Sequence, residues 1–207
     1  ADVLERDLRV SPDMETRLKL GRVLKDGLRD PAGAFDVFKR LLLDGKDVQE
    51  CEEELEVLAW EFPEIRGRVV DLLRPVFEAR RDREGEMRLL DLMSETETEG
   101  KADALWHGGA LAISAFGDDS GGLTRKLESI RLADKVRGDR LQIVTDMART
   151  QDRLTEVVEV LEFTSQDGRV GSGSIEVLSR LGRLLLEVGD QRKAEEVLEQ
   201  LLQIDES

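Results

Sequence analysis

Few residues of this chain can do chemistry, and their neighbours argue against most of them. The only histidine, His107, follows Trp106 in the apolar stretch LWHGGALAI. An imidazole serves as base or ligand when a partner completes the site, and neither a second His nor a nearby Cys is available. His107 therefore reads as a packed helix position. The only cysteine, Cys51, stands at a helix start, where a thiolate is stabilised, but Glu50, Glu52, Glu53 and Glu54 surround it and oppose negative charge. The run GRVGSGS, residues 168–174, resembles a phosphate-binding loop without its Lys-Ser/Thr ending, and no apolar strand precedes it. The acidic clusters Glu50–Glu54 and Asp118-Asp119 lack the alternating ligand positions of a calcium loop and read as solvated faces. The expectation is no catalytic residue, no metal, no cofactor and no enzymatic activity.

Composition narrows the alternatives. Charged residues make up 37% of the 207 positions, hydrophobic residues 40%, and Tyr is absent. Leu, Glu, Arg and Ala favour helices, and no β-branched alternation supports a sheet. A formal net charge of −15 opposes binding to nucleic acid, whose phosphates need a basic surface. The same charge is repelled by anionic membranes and favours a basic partner. No apolar run reaches the length of a membrane span. A lone cysteine fits a reducing compartment, which favours the cytoplasm, although a removed signal segment leaves the compartment open.

The elements that position these residues are read most easily from Glu176–Asp205. One helix carries Leu178, Leu181, Leu185 and Val188 at the spacing of a buried stripe. Gly189 stops it with the positive φ of a helix C′ position, and Asp190 caps the next. The second helix carries Ala194, Val197, Leu198, Leu201 and Leu202 against the first. Such a pair, about thirty residues long, cannot fold alone, so the chain is searched for copies.

Residues 2–13 align without a gap to 196–207, with Val3, Leu4, Leu8 and Val10 replacing Val197, Leu198, Leu202 and Ile204. This segment reads as the second helix of an incomplete leading repeat, as in a piece cut from a longer array, or alternatively as an N-terminal cap. Residues 14–45 form a full pair. Leu20-Gly21 matches Leu181-Gly182, Asp30-Pro31 starts the second helix, and Ala34, Phe35, Phe38, Leu41 and Leu42 form its buried stripe. Residues 46–96 read as degenerate repeats. Leu55, Leu58 and Ala59 are buried, a new helix starts near Pro63, and Pro75 predicts a kink or break near Arg74. Residues 97–164 match the earlier region at an offset of 88, placing Asp118 on Asp30 and Gly122-Leu123 on Ala34-Phe35. A flexible linker, Ser165–Ser174, precedes the last pair, 174–207. The whole reads as one continuous array.

These pairs resemble the tetratricopeptide repeat (TPR). The last supplies Leu178, Leu181-Gly182, Leu185, Gly189-Asp190, Ala194 and Leu198 in the family's register. The first supplies Leu20-Gly21, Leu24, Asp30, Ala34 and Phe38, with one extra residue before the turn. Gly costs about 1 kcal/mol inside a helix, so its retention marks a close helix crossing. The usual aromatics are mostly Leu, and Glu206 stands in place of the closing Pro. In style the chain resembles the degenerate TPR arrays of long bacterial scaffold proteins.

The resemblance implies an all-α fold, a right-handed α-solenoid of antiparallel helical pairs, with a concave groove lined by first helices. It implies a protein-interaction scaffold that holds a peptide or helix there. Lys19, Arg22 and Lys25, with Arg180 and Arg183, lie off the buried stripes of first helices, at positions that TPR proteins use for ligands. They are the candidate contacts for an acidic segment, or else they balance nearby carboxylates. The paired Asn and Lys of the chaperone-tail clamp are not reproduced. The alternative function is a structural spacer, or self-association through exposed repeat ends at Val3, Leu4 and Leu8.

Overall fold

Turns set the element boundaries. The computed structural model describes residues 14–45, 48–95, 100–133, 137–166 and 174–205, all helical apart from short connections. No strand occurs among them, so the fold is all-α. At six connections among the described residues one residue takes positive φ: Arg29 (51°), Gly45 (71°), Arg81 (55°), Gly117 (66°), Asp152 (56°) and Gly189 (87°). The left-handed residue ends one helix, and at four of these turns the next residue is an Asp that caps the following helix. Asp30, Asp82, Asp118 and Asp190 accept from the backbone N–H of Gly33, Gly85, Gly121 and Lys193 at 3.0, 2.9, 2.8 and 3.2 Å. Each cap is worth about 1 kcal/mol. The turns Asp30-Pro31 and Gly189-Asp190 stand where the sequence puts them.

The chain divides into two compact units, Ala1–Thr96 and Glu97–Ser207. The first contains α1 (Met14–Arg22), a π-helical turn (Val23–Gly27), α2 (Pro31–Leu43), α3 (Val48–Glu61), a 3-10 turn (Pro63–Ile65), α4 (Arg66–Arg80) and α5 (Arg83–Ser94). Each helix packs on its successor. The extra residue before the first turn is absorbed by the π-turn, where Leu28 N–H reaches Val23 O at 3.0 Å, five residues back. Phe38 and Phe77 are fully buried, as are Leu55, Leu58 and Leu73, each side chain contributing about 1.5–3 kcal/mol. The crossing of α1 and α2 is too close for a side chain at Gly21, whose missing Cβ would meet the Phe38 ring at 2.4 Å.

Pro75 does not break α4, which runs unbroken from Arg66 to Arg80. Both Pro75 and Asp71, one turn back, lie on the exposed side, so the carbonyl left without its helical donor is on the solvent side. Leu28, which ends the π-turn, is exposed.

The second unit contains α6 (Lys101–Phe116), α7 (Asp119–Leu132), α8 (Gly138–Thr150), α9 (Leu154–Gln166), α10 (Ser174–Glu187) and α11 (Gln191–Asp205). Helices α6 and α7 run antiparallel, with Gly109 against Gly122 at one end and Ser129 Oγ donating to Ala102 O (2.6 Å) at the other. Position 126, which corresponds to Phe38 in the first pair, holds a lysine. Lys126 is only 5% exposed and lays its ammonium 3.8 Å from the Trp106 ring centroid. Burial, aided by the charge of Arg140, lowers its pKa. The TPR-like pattern of helical pairs thus holds within each unit.

Three packing expectations change. Val188 is exposed and Leu184 takes its place in the core. Leu202 and Leu198 of α11 are both exposed, at 63% and 37%, so the last stripe is narrower than its spacing implies. His107 is not packed but exposed on α6, with Trp106 turned partly inward. The N-terminal segment 1–13 and most of the Ser165–Ser174 linker lie outside the described residues.

Candidate functional site

A cluster of charged side chains in the first unit lies between α1 with its π-turn and α3. Two forces place it. The apolar stripe Cys51, Leu55, Leu58 and Ala59 turns one side of α3 into the core, and helical spacing then puts Glu50, Glu53, Glu54 and Val57 on another. On the facing element, Lys25 is drawn inward on the π-turn. Arg22 donates from Nε to Glu54 Oε1 at 2.5 Å and from Nη2 to Glu50 Oε1 at 2.7 Å. Lys25 Nζ donates to Glu54 Oε2 at 3.0 Å. Burial pushes the Glu54 carboxyl up, but hydrogen bonds from Arg22 and Lys25 and their charges outweigh it and hold its pKa below the ordinary value. The Arg22 pKa is raised, by hydrogen bonds to Glu54 first and Glu50 second.

These residues, with Gln49, Glu53 and Val57, line an open groove of about 580 Å³. Its wall holds two cations against three carboxylates. Glu53 accepts only a neutral hydrogen bond, from Gln49 Nε2 at 3.1 Å, and has no ion pair among the described residues. Sequence spacing had marked Glu50–Glu54 as one solvated cluster, whereas the helix splits it. Glu52 is buried and pairs with Arg80, Glu50 and Glu54 hold Arg22, and Glu53 faces solvent.

The sequence-derived cations fall in different surroundings. Lys19 is exposed and bound within its own helix to Glu15 at 2.7 Å. Arg22 and Lys25 come together on Glu54. In the second unit, Arg180 of α10 donates to Gln142 of α8 at 2.6 Å, while Arg183, one turn on, is exposed and has no ion pair among the described residues. The same kind of link recurs between alternate helices, as in Arg88 to Glu56 (2.9 Å), Arg140 to Asp103 (2.6 Å) and Arg149 to Glu187 (2.7 Å). Much of the charge on these faces therefore ties neighbouring repeats together.

Residues missed by sequence reasoning are Glu53, Val57 and Trp60. The signal available was their spacing, i, i+4 and i+7, on a helix whose other side is fully apolar. Cys51, by contrast, is fully buried in the core. Among the described residues no group of three or more His, Cys, Asp or Glu is placed to hold a metal ion, and no helix is long and apolar enough to cross a membrane.

No family model and no curated protein matches the chain. Among solved structures, it is similar to the MamA RS-1 ArsTM double mutant, with 16% identity and a TM-score of 0.37 over 86% of this chain and 96% of that one. It is also similar to the nearly identical TPR-like repeats of a Podosopora anserina kinesin light chain, with 13% identity and a TM-score of 0.36 over 92% and 93% of the two chains.

Proposed function

We propose that the protein is a non-catalytic interaction module that holds a segment of a partner protein along the exposed faces of its first helices. The observation that carries this reading is the groove between α1 and α3. It is concave, lined by charged side chains already fixed in place by one another, and floored in part by the exposed Val57. Fixed side chains lose little entropy when a ligand arrives, which favours binding.

In the first unit the contact residues are Lys19, Arg22 and Lys25. Arg22 and Lys25 act as wall residues whose charge Glu54 and Glu50 offset, and Lys19 stands at the rim. In the second unit Arg180 and Arg183 face the partner, with Gln142 holding Arg180 in position. Arg183 offers the more open charge for an acidic residue.

The test is affinity capture from the source cells with the wild-type chain, Lys19→Glu and Arg180→Glu/Arg183→Glu. The set of captured proteins should change in the charge-reversed forms, with the helical circular dichroism unchanged. Retention of every partner by both variants removes the assignment of these cations.

A further inference from the structure

The sign of charge in the first unit's groove points to its ligand. Sequence spacing presents Lys19, Arg22 and Lys25 as a basic row. In the folded chain two of them are consumed, since Arg22 is shared by Glu50 and Glu54 and Lys25 is 7% exposed on Glu54. What remains open to a ligand is acidic and apolar. Glu53 carries no ion pair among the described residues, Val57 is 42% exposed, and Trp60 is 50% exposed one turn further. Glu61 extends the same exposed side. Positions 53, 57, 60 and 61 lie on one face of α3 by helical geometry. The indole is not loosely placed, for Arg66 lies 5.9 Å from its ring centroid while donating to Ala59 O at 3.0 Å.

A half-exposed Trp and an exposed Val between carboxylates form a recognisable binding surface. Trp supplies a large contact area at low entropic cost and dominates many interfaces. Carboxylates at the rim select cationic side chains and repel acidic ones. An acidic segment would have to displace Glu54 from Arg22 and Lys25, leaving a part-buried carboxylate without its partners.

We infer that the α1–α3 groove takes a basic, amphipathic segment of a partner protein, with an Arg or Lys on Glu53 and an apolar side chain on Val57 and Trp60. This rests on the reading that the groove is an interaction site, and it fixes the charge class of what binds there. It reverses the acidic ligand expected from the cation spacing alone.

The experiment is selection of a random peptide display library on the full chain, followed by affinity measurement of the enriched peptides against four proteins. These are wild type, Glu53→Lys, Trp60→Ala, and Glu195→Gln/Glu199→Gln, whose altered charges lie on α11 of the other unit. Glu53 and Trp60 are both exposed, so their variants should keep the fold, checked by circular dichroism. The expected result is enrichment of peptides with Arg or Lys beside Leu or aromatic residues. Their binding should weaken about tenfold in Glu53→Lys and in Trp60→Ala, the loss typical of an interface anchor, and remain unchanged in the control. Enriched acidic peptides whose binding strengthens in Glu53→Lys would overturn the basic class while leaving the groove as a site. Peptides indifferent to both Glu53 and Trp60, or no enrichment at all, would overturn both the inference and the groove reading.

Discussion

At the scale of single residues, Glu54 is the most informative position. Its carboxyl is held below the ordinary pKa by Arg22 and Lys25 against the opposing effect of burial. A carboxylate whose folded pKa is depressed contributes stability that is present above its unfolded pKa, about 4.3 for Glu, and is lost as pH falls through the folded value. The first unit should therefore weaken as pH drops below about 4, and Glu54→Gln should remove that part of the acid dependence. At pH 7 the same change should cost about 1–3 kcal/mol, the range for losing hydrogen bonds to charged groups. Urea unfolding of both forms across pH 3–7 reads both effects, and parallel pH profiles would contradict the assignment. This role was not legible in the sequence. Spacing shows which side of α3 is apolar, but which cation meets which carboxylate 28–32 residues away depends on the stagger of packed helices.

At the scale of elements, the helical pairs and their turns were the most legible. Gly189-Asp190 and Asp30-Pro31 carry their conformations in their residue types, because a positive φ and an Asp cap are local requirements. The turns at Arg81-Asp82 and Asp152-Arg153 were harder to read, since a non-Gly residue takes the left-handed conformation there. The π-turn Val23–Gly27 was visible only as one surplus residue. Pro75 misled because its cost depends on whether the freed carbonyl is on the solvent side.

The close helix crossings separate by what faces each glycine. A Cβ at Gly109 would stand 2.7 Å from the backbone oxygen of Gly122, which cannot yield without moving α7. A Cβ at Gly182 would meet side chains alone, the exposed Leu198 at 3.1 Å and Val197 at an ordinary 3.8 Å. Alanine gains about 1 kcal/mol of helix propensity at either site, whereas overpacking costs about 1–3 kcal/mol or more where nothing can shift. Gly109→Ala should therefore lower the melting temperature, and Gly182→Ala should leave it unchanged or raise it. Equal losses at both sites would mean that the last pair packs as tightly as α6 on α7.

At the scale of the whole molecule, strong helical periodicity, scarce β-formers and tight Gly/Asp turns made the all-α helical-pair plan readable. The ligand surface was less so. A net charge of −15 points toward basic partners, and the row Lys19, Arg22, Lys25 points the other way. Folding resolves the conflict in the first unit by turning Glu50 and Glu54 onto two of those cations and leaving Glu53 and Trp60 outward. The central claim is that a partner segment lies in this groove. The most direct measurement is amide chemical-shift mapping of the full chain titrated with a selected peptide. Binding in the groove predicts the largest shifts at Arg22, Lys25, Glu53, Val57 and Trp60, including the indole N–H. Saturable binding with these residues unmoved would contradict it.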